Sequence, residues 1–104
     1  FTASKTSNGY QKLPSGLIIQ WGRFGYTVDL VPTSGSLTVS FPITFPSQAY
    51  AVNVSGLVGT LYGSHPSYFW YSEIVDKSKF MFWWNGAPSN TWGNFYHHFI
   101  AIGT

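Results

Sequence analysis

Leu37, Val39, Phe41, Ile43 and Phe45 alternate with Thr38, Ser40, Pro42 and Thr44. Side chains on a strand point to opposite faces in turn, so this period of two predicts a strand with one buried face. Pro42 and Pro46 lack the N–H that a central strand must donate, which predicts an edge strand or a break at Pro42. Tyr50, Val52 and Val54 alternate with Ala51, Asn53 and Ser55 and predict a second strand. Residues 16–22 predict the first strand of the chain, 26–30 a further short one, and 95–102 the last. Residues 68–75 and 79–84 predict a hairpin around Asp76-Lys77-Ser78. Gly56, Gly59 and Gly63 mark turns, and Asn85-Gly86 is the strongest turn signal, followed by a polar loop to Asn94. No stretch carries helical spacing together with good helix formers. The pattern predicts an all-β domain of six to eight short strands, a sandwich or barrel-like fold. Residues 1–9 are small and polar and predict a connector, which leaves 10–104 as a single domain.

Composition adds a constraint that the pattern does not. Aromatic residues make up 20% of the 104 residues and charged residues only 8%, where an ordinary domain carries about 25% charged. Each aromatic ring withdraws roughly 150–250 Å² from water when buried. Five Trp, seven Tyr and nine Phe are too many to hide inside a domain of this size. Some must be covered by a partner, another copy of the chain or a ligand. The net charge of +2 comes from scattered Lys5, Lys12, Arg23, Lys77 and Lys79. Nucleic-acid binding wants clustered cations, which argues against it here. With no cysteine there is no disulfide framework and no thiolate metal site. No apolar run approaches the roughly 20 residues of a membrane helix, so membrane insertion is not expected. The chain opens at Phe1 and not Met, which predicts a missing N-terminal part.

Candidate chemistry is sparse. The carboxylates are Asp29, Glu73 and Asp76. Glu73 and Asp76, with Lys77 and Lys79 beside them, read as a solvated hairpin tip and not as a glycosidase pair. There is no Gly-x-Ser-x-Gly elbow and no phosphate-binding glycine loop. The expectation is therefore no enzyme, no catalytic residue and no cofactor. His97-His98 is the most metal-like feature. Adjacent strand residues face opposite ways, so one chain cannot set both on one ion, although a threefold assembly could bring three copies of one to its axis. The bland reading puts one in the core or an interface and the other in solvent, and no metal site is expected.

The aromatic clusters at 68–71, 80–84 and 92–96 carry more. Half of each cluster faces away from the core if it lies on a strand. Most of these rings read as core or subunit contact. In the polar loops His65, Tyr68, Asn90 and Trp92 read equally well as binding groups. With Ser89 and Asn94, loops 64–68 and 87–94 combine rings with donors and acceptors suited to a glycan, and they form the candidate binding set.

Gly9-Tyr10-Gln11-Lys12-Leu13-Pro14-Ser15-Gly16-Leu17-Ile18-Ile19-Gln20-Trp21-Gly22 resembles the opening of the C-terminal domain of tailed-bacteriophage tail fibres and side-tail fibres. The closing Phe99-Ile100-Ala101-Ile102-Gly103-Thr104 is similar to the Ala-Ile-Gly end of those domains. Between these two signatures the match is one of strand and aromatic pattern only. The resemblance implies an antiparallel β-sandwich-like knob that forms a parallel homotrimer. It implies residence in the virion at the distal fibre tip after synthesis in the host cytoplasm, with 1–9 leading from a fibre shaft. It further implies host attachment through a bacterial surface glycan, commonly lipopolysaccharide. Some such tips hold iron on His at alternating positions, a spacing that the adjacent His97-His98 departs from. The alternative is a trimerisation or stability cap with receptor binding elsewhere on the fibre. Ile100 and Ile102 alternate with Phe99 and Ala101, so the last strand is apolar on both faces and predicts cover on both, with an ordered end at Thr104.

Overall fold

The computed structural model describes residues 3–28, 34–58, 61–62, 69–85 and 92–104. They form strands and connections, with no helix among the described residues. In chain order the strands are β1 (Ala3–Ser4), β2 (Gly9–Lys12), β3 (Ile18–Val28), β4 (Ser34–Ser40), β5 (Ala49–Val58), β6 (Leu61–Tyr62), β7 (Phe69–Ile74), β8 (Lys79–Asn85) and β9 (Trp92–Gly103). All pairings are antiparallel. A larger sheet runs β1-β2-β3-β9-β5, with β6 also on β9, and a three-stranded sheet runs β4-β8-β7. The two pack as a sandwich, as the sequence pattern and the resemblance predict.

One long strand and the N-terminal segment differ from the sequence reading. Residues 16–22 and 26–30 were expected as separate strands. The chain instead runs continuously through β3, because β9 offers an unbroken partner from Ile18↔Gly103 to Val28↔Gly93. The segment expected as a connector adds to the sheet, with Ala3 opposite Gln11 and Ser4 opposite Tyr10. β4 stops before Phe41-Pro42 and lies at the edge of its sheet, which satisfies both expectations drawn from the proline. The predicted hairpin is β7–β8. Its turn is held by Asp76, whose carboxylate accepts from the Ser78 N–H (2.8 Å), the Ser78 hydroxyl (2.7 Å) and Lys79 (3.1 Å). Those bonds favour the charged form and hold the Asp76 carboxyl well below the usual carboxylate range.

Alternation decides which rings are core. On β8, Phe80, Phe82 and Trp84 face in, while Met81 and Trp83 face out half-covered. They pack beside Val39, Trp70 and Ile74 of their own sheet and against Phe24, Val52, Val54, Phe99 and Ala101 of the larger one. The rings pack edge-on more than face-on: Phe24 meets Phe82 at 4.8 Å and 67°, and Phe80 meets Phe99 at 5.1 Å and 66°. That geometry sets the positive ring edge against the negative face. Gly22 lets the Phe99 ring lie against its backbone, since a Cβ there would fall 2.5 Å from that ring. Gly16 supplies the left-handed φ of 94° in the turn that the Gly16 N–H to Leu13 C=O bond closes.

One end of the sandwich is plugged by the irregular stretch 41–48. Phe41 and Phe45 are buried there with rings 5.0 Å apart. The Phe41 and Phe45 N–H groups donate to Ser78 and Lys77 at 2.9 Å. On the other side the Thr104 carbonyl accepts from Ser47 and Gln48, and the Thr104 N–H donates to Gln48, so the predicted ordered end is observed. The plug is centred on Gln20, which is fully buried. Its amide donates to the Ile43 carbonyl and accepts from the Ile43 N–H, both at 2.9 Å. Replacing Gln20 by Leu strands both backbone groups of Ile43 away from water, at about 1–3 kcal/mol for each unsatisfied group. Gln20→Leu is expected to lower the unfolding free energy by about 2–5 kcal/mol in urea melts at fixed protein concentration. A loss under about 1 kcal/mol would mean that the pair does not hold the plug.

Candidate functional site

The two ends of the sandwich differ in kind. At the plugged end the chain turns tightly through 13–17 and 75–79 and is stitched together by the bonds above. The opposite end is marked by the register pairs Val28↔Gly93, Leu61↔Gly93, Ser34↔Asn85 and Phe69↔Asn85. The strand ends that lead into and out of residues 29–33, 59–60, 63–68 and 86–91 all converge there. Of the predicted receptor-binding set, His65, Tyr68, Ser89 and Asn90 lie outside the described residues. Trp92 and Asn94 do not sit in a loop as expected. They belong to β9, where Trp92 pairs with Tyr62 and Asn94 with Thr27. The polar composition of 87–94 suggested a loop, but pairing on both sides of β9 extends the strand back to Trp92.

The larger sheet carries apolar side chains on its outer face. Ile100 is 56% exposed and Ile102 36%. Ile19 and Trp21 lie across β3 from them, in register Ile19↔Ile102 and Trp21↔Ile100, and Ala51 lies across β5. Two shallow grooves flank His98 and Ile100, one bounded by Ser7, Trp21 and Arg23, the other by Ala51, Asn53 and Ser55. Trp21 is pinned in place by its indole N–H, which donates to the Thr6 carbonyl at 2.8 Å. The period-two pattern of β9 predicted this second apolar face.

His97 and His98 separate as adjacent strand residues should. His98 is exposed on the outer face, and His97 is fully buried. The His97 ring lies 4.8 Å from Phe82, 4.9 Å from Trp70 and 5.9 Å from Phe24. Its Nδ1 donates to the Ser55 carbonyl at 2.8 Å. Burial pushes its pKa below the ordinary value of 6.5, opposed by that backbone bond. Among the described residues, no three potential metal ligands come together.

The chain matches the family described as "Putative tail fiber protein gp53-like, C-terminal" over residues 12–104. It is therefore a tail-fibre C-terminal domain, and it belongs to that family. The fold is similar to that of an N-truncated R1-type pyocin tail fibre, with a TM-score of 0.76 at 23% identity over 99% of this chain and 84% of that one. It is equally similar to a longer R1 pyocin fibre from P. aeruginosa, of which it spans 28%. An N-truncated R2-type pyocin tail fibre matches with a TM-score of 0.66 at 19% identity, covering 99% of this chain and 37% of that one. No curated protein sequence matches the chain.

The buried imidazole has a pH consequence. Below about pH 6.5 the unfolded chain takes up a proton at this histidine that the folded chain refuses until a lower pH. Stability is thus fully present above 6.5 and falls as pH drops toward the lower folded pKa, by at most about 1.4 kcal/mol per pH unit for the one group. Thermal melts from pH 7.5 down to 5 should show a falling Tm. His97→Gln, which keeps a donor for the Ser55 carbonyl, should flatten that fall. An identical slope in the two proteins would assign the acid sensitivity to other groups.

Proposed function

We propose that this domain is the distal, receptor-binding tip of a homotrimeric tail fibre, and that it attaches the particle to its host through a bacterial surface glycan such as lipopolysaccharide. The observation that carries the reading is the division of the described strands into a stitched end and an opposite end at which β3, β4, β6, β7, β8 and β9 have termini. Binding loops on a rigid β scaffold take this form, because their sequence can change without loosening the core. Attachment, and not catalysis, is the role assigned. Family membership supports the fibre, and the outward apolar face supports self-association.

In the proposed trimer, Ile19, Trp21, Ile100 and Ile102 of each copy bury against a neighbour around a closed threefold axis. The wild-type chain is expected to sediment at three times its 11.6 kDa mass. Ile100→Glu should give a monomer with an unchanged far-ultraviolet β signature, since Ile100 points away from the core. A stable wild-type monomer at micromolar concentration would remove the trimer from the proposal.

The receptor surface is assigned to the gathered end, with His65, Tyr68, Ser89, Asn90, Trp92 and Asn94 as its candidate contacts. With so little charge on the chain, stacking and hydrogen bonds should dominate, and attachment should depend weakly on salt. An aromatic anchor costs about 2 kcal/mol or more on truncation, some thirtyfold or more in affinity. Trp92→Ala is expected to cut adhesion of the labelled protein to host cells by that order with Tm nearly unchanged. Normal adhesion, or an unfolded variant, would remove Trp92 from the site. The cap alternative, with receptor binding elsewhere on the fibre, predicts no adhesion of this domain, wild type included.

A further inference from the structure

The outer face of the three-stranded sheet carries a feature that neither the assembly nor the predicted loops use. On β7 and β8, Tyr71 and Trp83 stand directly opposite each other, with ring centroids 5.2 Å apart and planes within 17°. Tyr71 is 57% exposed and lies on an edge strand, so its far face is open past the sheet. Ser36 faces Trp83 from β4. One step along, Thr38, Met81 and Glu73 make the next row, and the Thr38 hydroxyl is 2.9 Å from the Met81 sulfur. The exposed Asn85 follows Trp83 toward the gathered end. A stacked aromatic pair is thus bordered by hydroxyls, an amide and one carboxylate on a flat surface.

The geometry points to a saccharide site on this face, with Tyr71 and Trp83 as its stacking platform. The π-face of a ring is electron-rich, and it complements the C–H face of a pyranose, whose hydrogens are weakly positive. Ser36 and Thr38 lie on β4, beyond Trp83, and bond the hydroxyls of a sugar unit on the Trp83 side of the pair, while Asn85 bonds those at the upper edge of the platform. Glu73 accepts from them and disfavours an anionic sugar, since Lys79 is already paired with Asp76 at 3.1 Å. The ligand class is therefore an uncharged, hydroxyl-rich oligosaccharide.

Size argues for a sugar over a protein. Strands about 4.8 Å apart and about 3.3 Å of rise per residue give a patch on the order of 150 Å² over these three strands. A stable protein contact needs about 800 Å² per partner. The patch faces away from Ile100 and Ile102, because the outer faces of a sandwich point in opposite directions, so it stays open in the proposed trimer. It begins two residues below Asn85, which makes it continuous with the gathered end. The inference rests on the glycan reading of the tip and adds a second contact surface to it.

The test uses the full chain on an array of neutral and anionic bacterial surface oligosaccharides, followed by calorimetric titration with the strongest-binding oligosaccharide. Tyr71→Ala should weaken that binding at least tenfold with Tm nearly unchanged, and Tyr71→Phe should recover most of the loss. Glu73→Gln should relax discrimination against anionic sugars. Unchanged affinity in Tyr71→Ala overturns the platform, and if Trp92→Ala still loses binding, the tip reading stands without it. A shift in sedimentation caused by Tyr71→Ala assigns the face to a second copy and likewise overturns it. Failure of every oligosaccharide to bind the wild type overturns both readings.

Discussion

The fold depends on one buried amide. Gln20 makes the same pair of hydrogen bonds to Ile43 that a neighbouring strand would make, but it makes them from a side chain inside the core. Stretch 41–48 has no strand partner of its own, yet it must close the sandwich, and its backbone groups cannot be left bare there. A carboxylate at position 20 could not donate to the Ile43 carbonyl, and an aliphatic chain would satisfy neither group. Only the amide offers a donor and an acceptor at this reach. With Ile43 fixed, Phe41 and Phe45 fill the space between the sheets. The hairpin turn at 76–78 and the carbonyl of Thr104 then bind the plug from either side.

That economy sorts the rest of the molecule. Strand alternation sends Phe80, Phe82, Trp84, Phe99 and His97 inward. It leaves Ile100, Ile102 and Trp21 on one outer face and Tyr71 and Trp83 on the other. Among the described residues, rings thus form an edge-packed core and an outward pair on the smaller sheet, while Trp21 joins the isoleucines on the outer face of the larger one.

Much of this was legible in the sequence. Period two located β4, β5 and the β7–β8 hairpin, and proline placed β4 at an edge. The two-faced apolar pattern of β9 announced an exposed apolar surface. What escaped was set by long-range pairing. β3 reads as two strands because Gly22 and Gly25 interrupt the local pattern, but a continuous partner in β9 overrides it. Ala3–Ser4 looked like a connector because two residues hold no pattern. Trp92 and Asn94 looked like loop because their flanking residues are polar. Gln20 could not be singled out, since a lone Gln in an apolar run carries no sign of which distant backbone it meets. The pairing of Tyr71 with Trp83 likewise needs the register, which the hairpin pattern alone leaves free by a residue.

The position of β9 has a consequence for how the chain reaches this state. It is the last strand of the domain in sequence and stands between β3 and β5 in space. The larger sheet therefore has no central pairing until β9 is in place. Most contacts of the sheet span long stretches of chain, which makes closure slow and leaves aromatic strands open to pairing with neighbouring chains meanwhile. Where several copies are held side by side as they fold, an incoming β9 has more than one sheet to enter. The pairing of Ala49 with Gly103 and the bonds between Thr104 and Gln48 form only when β9 lies in its native register.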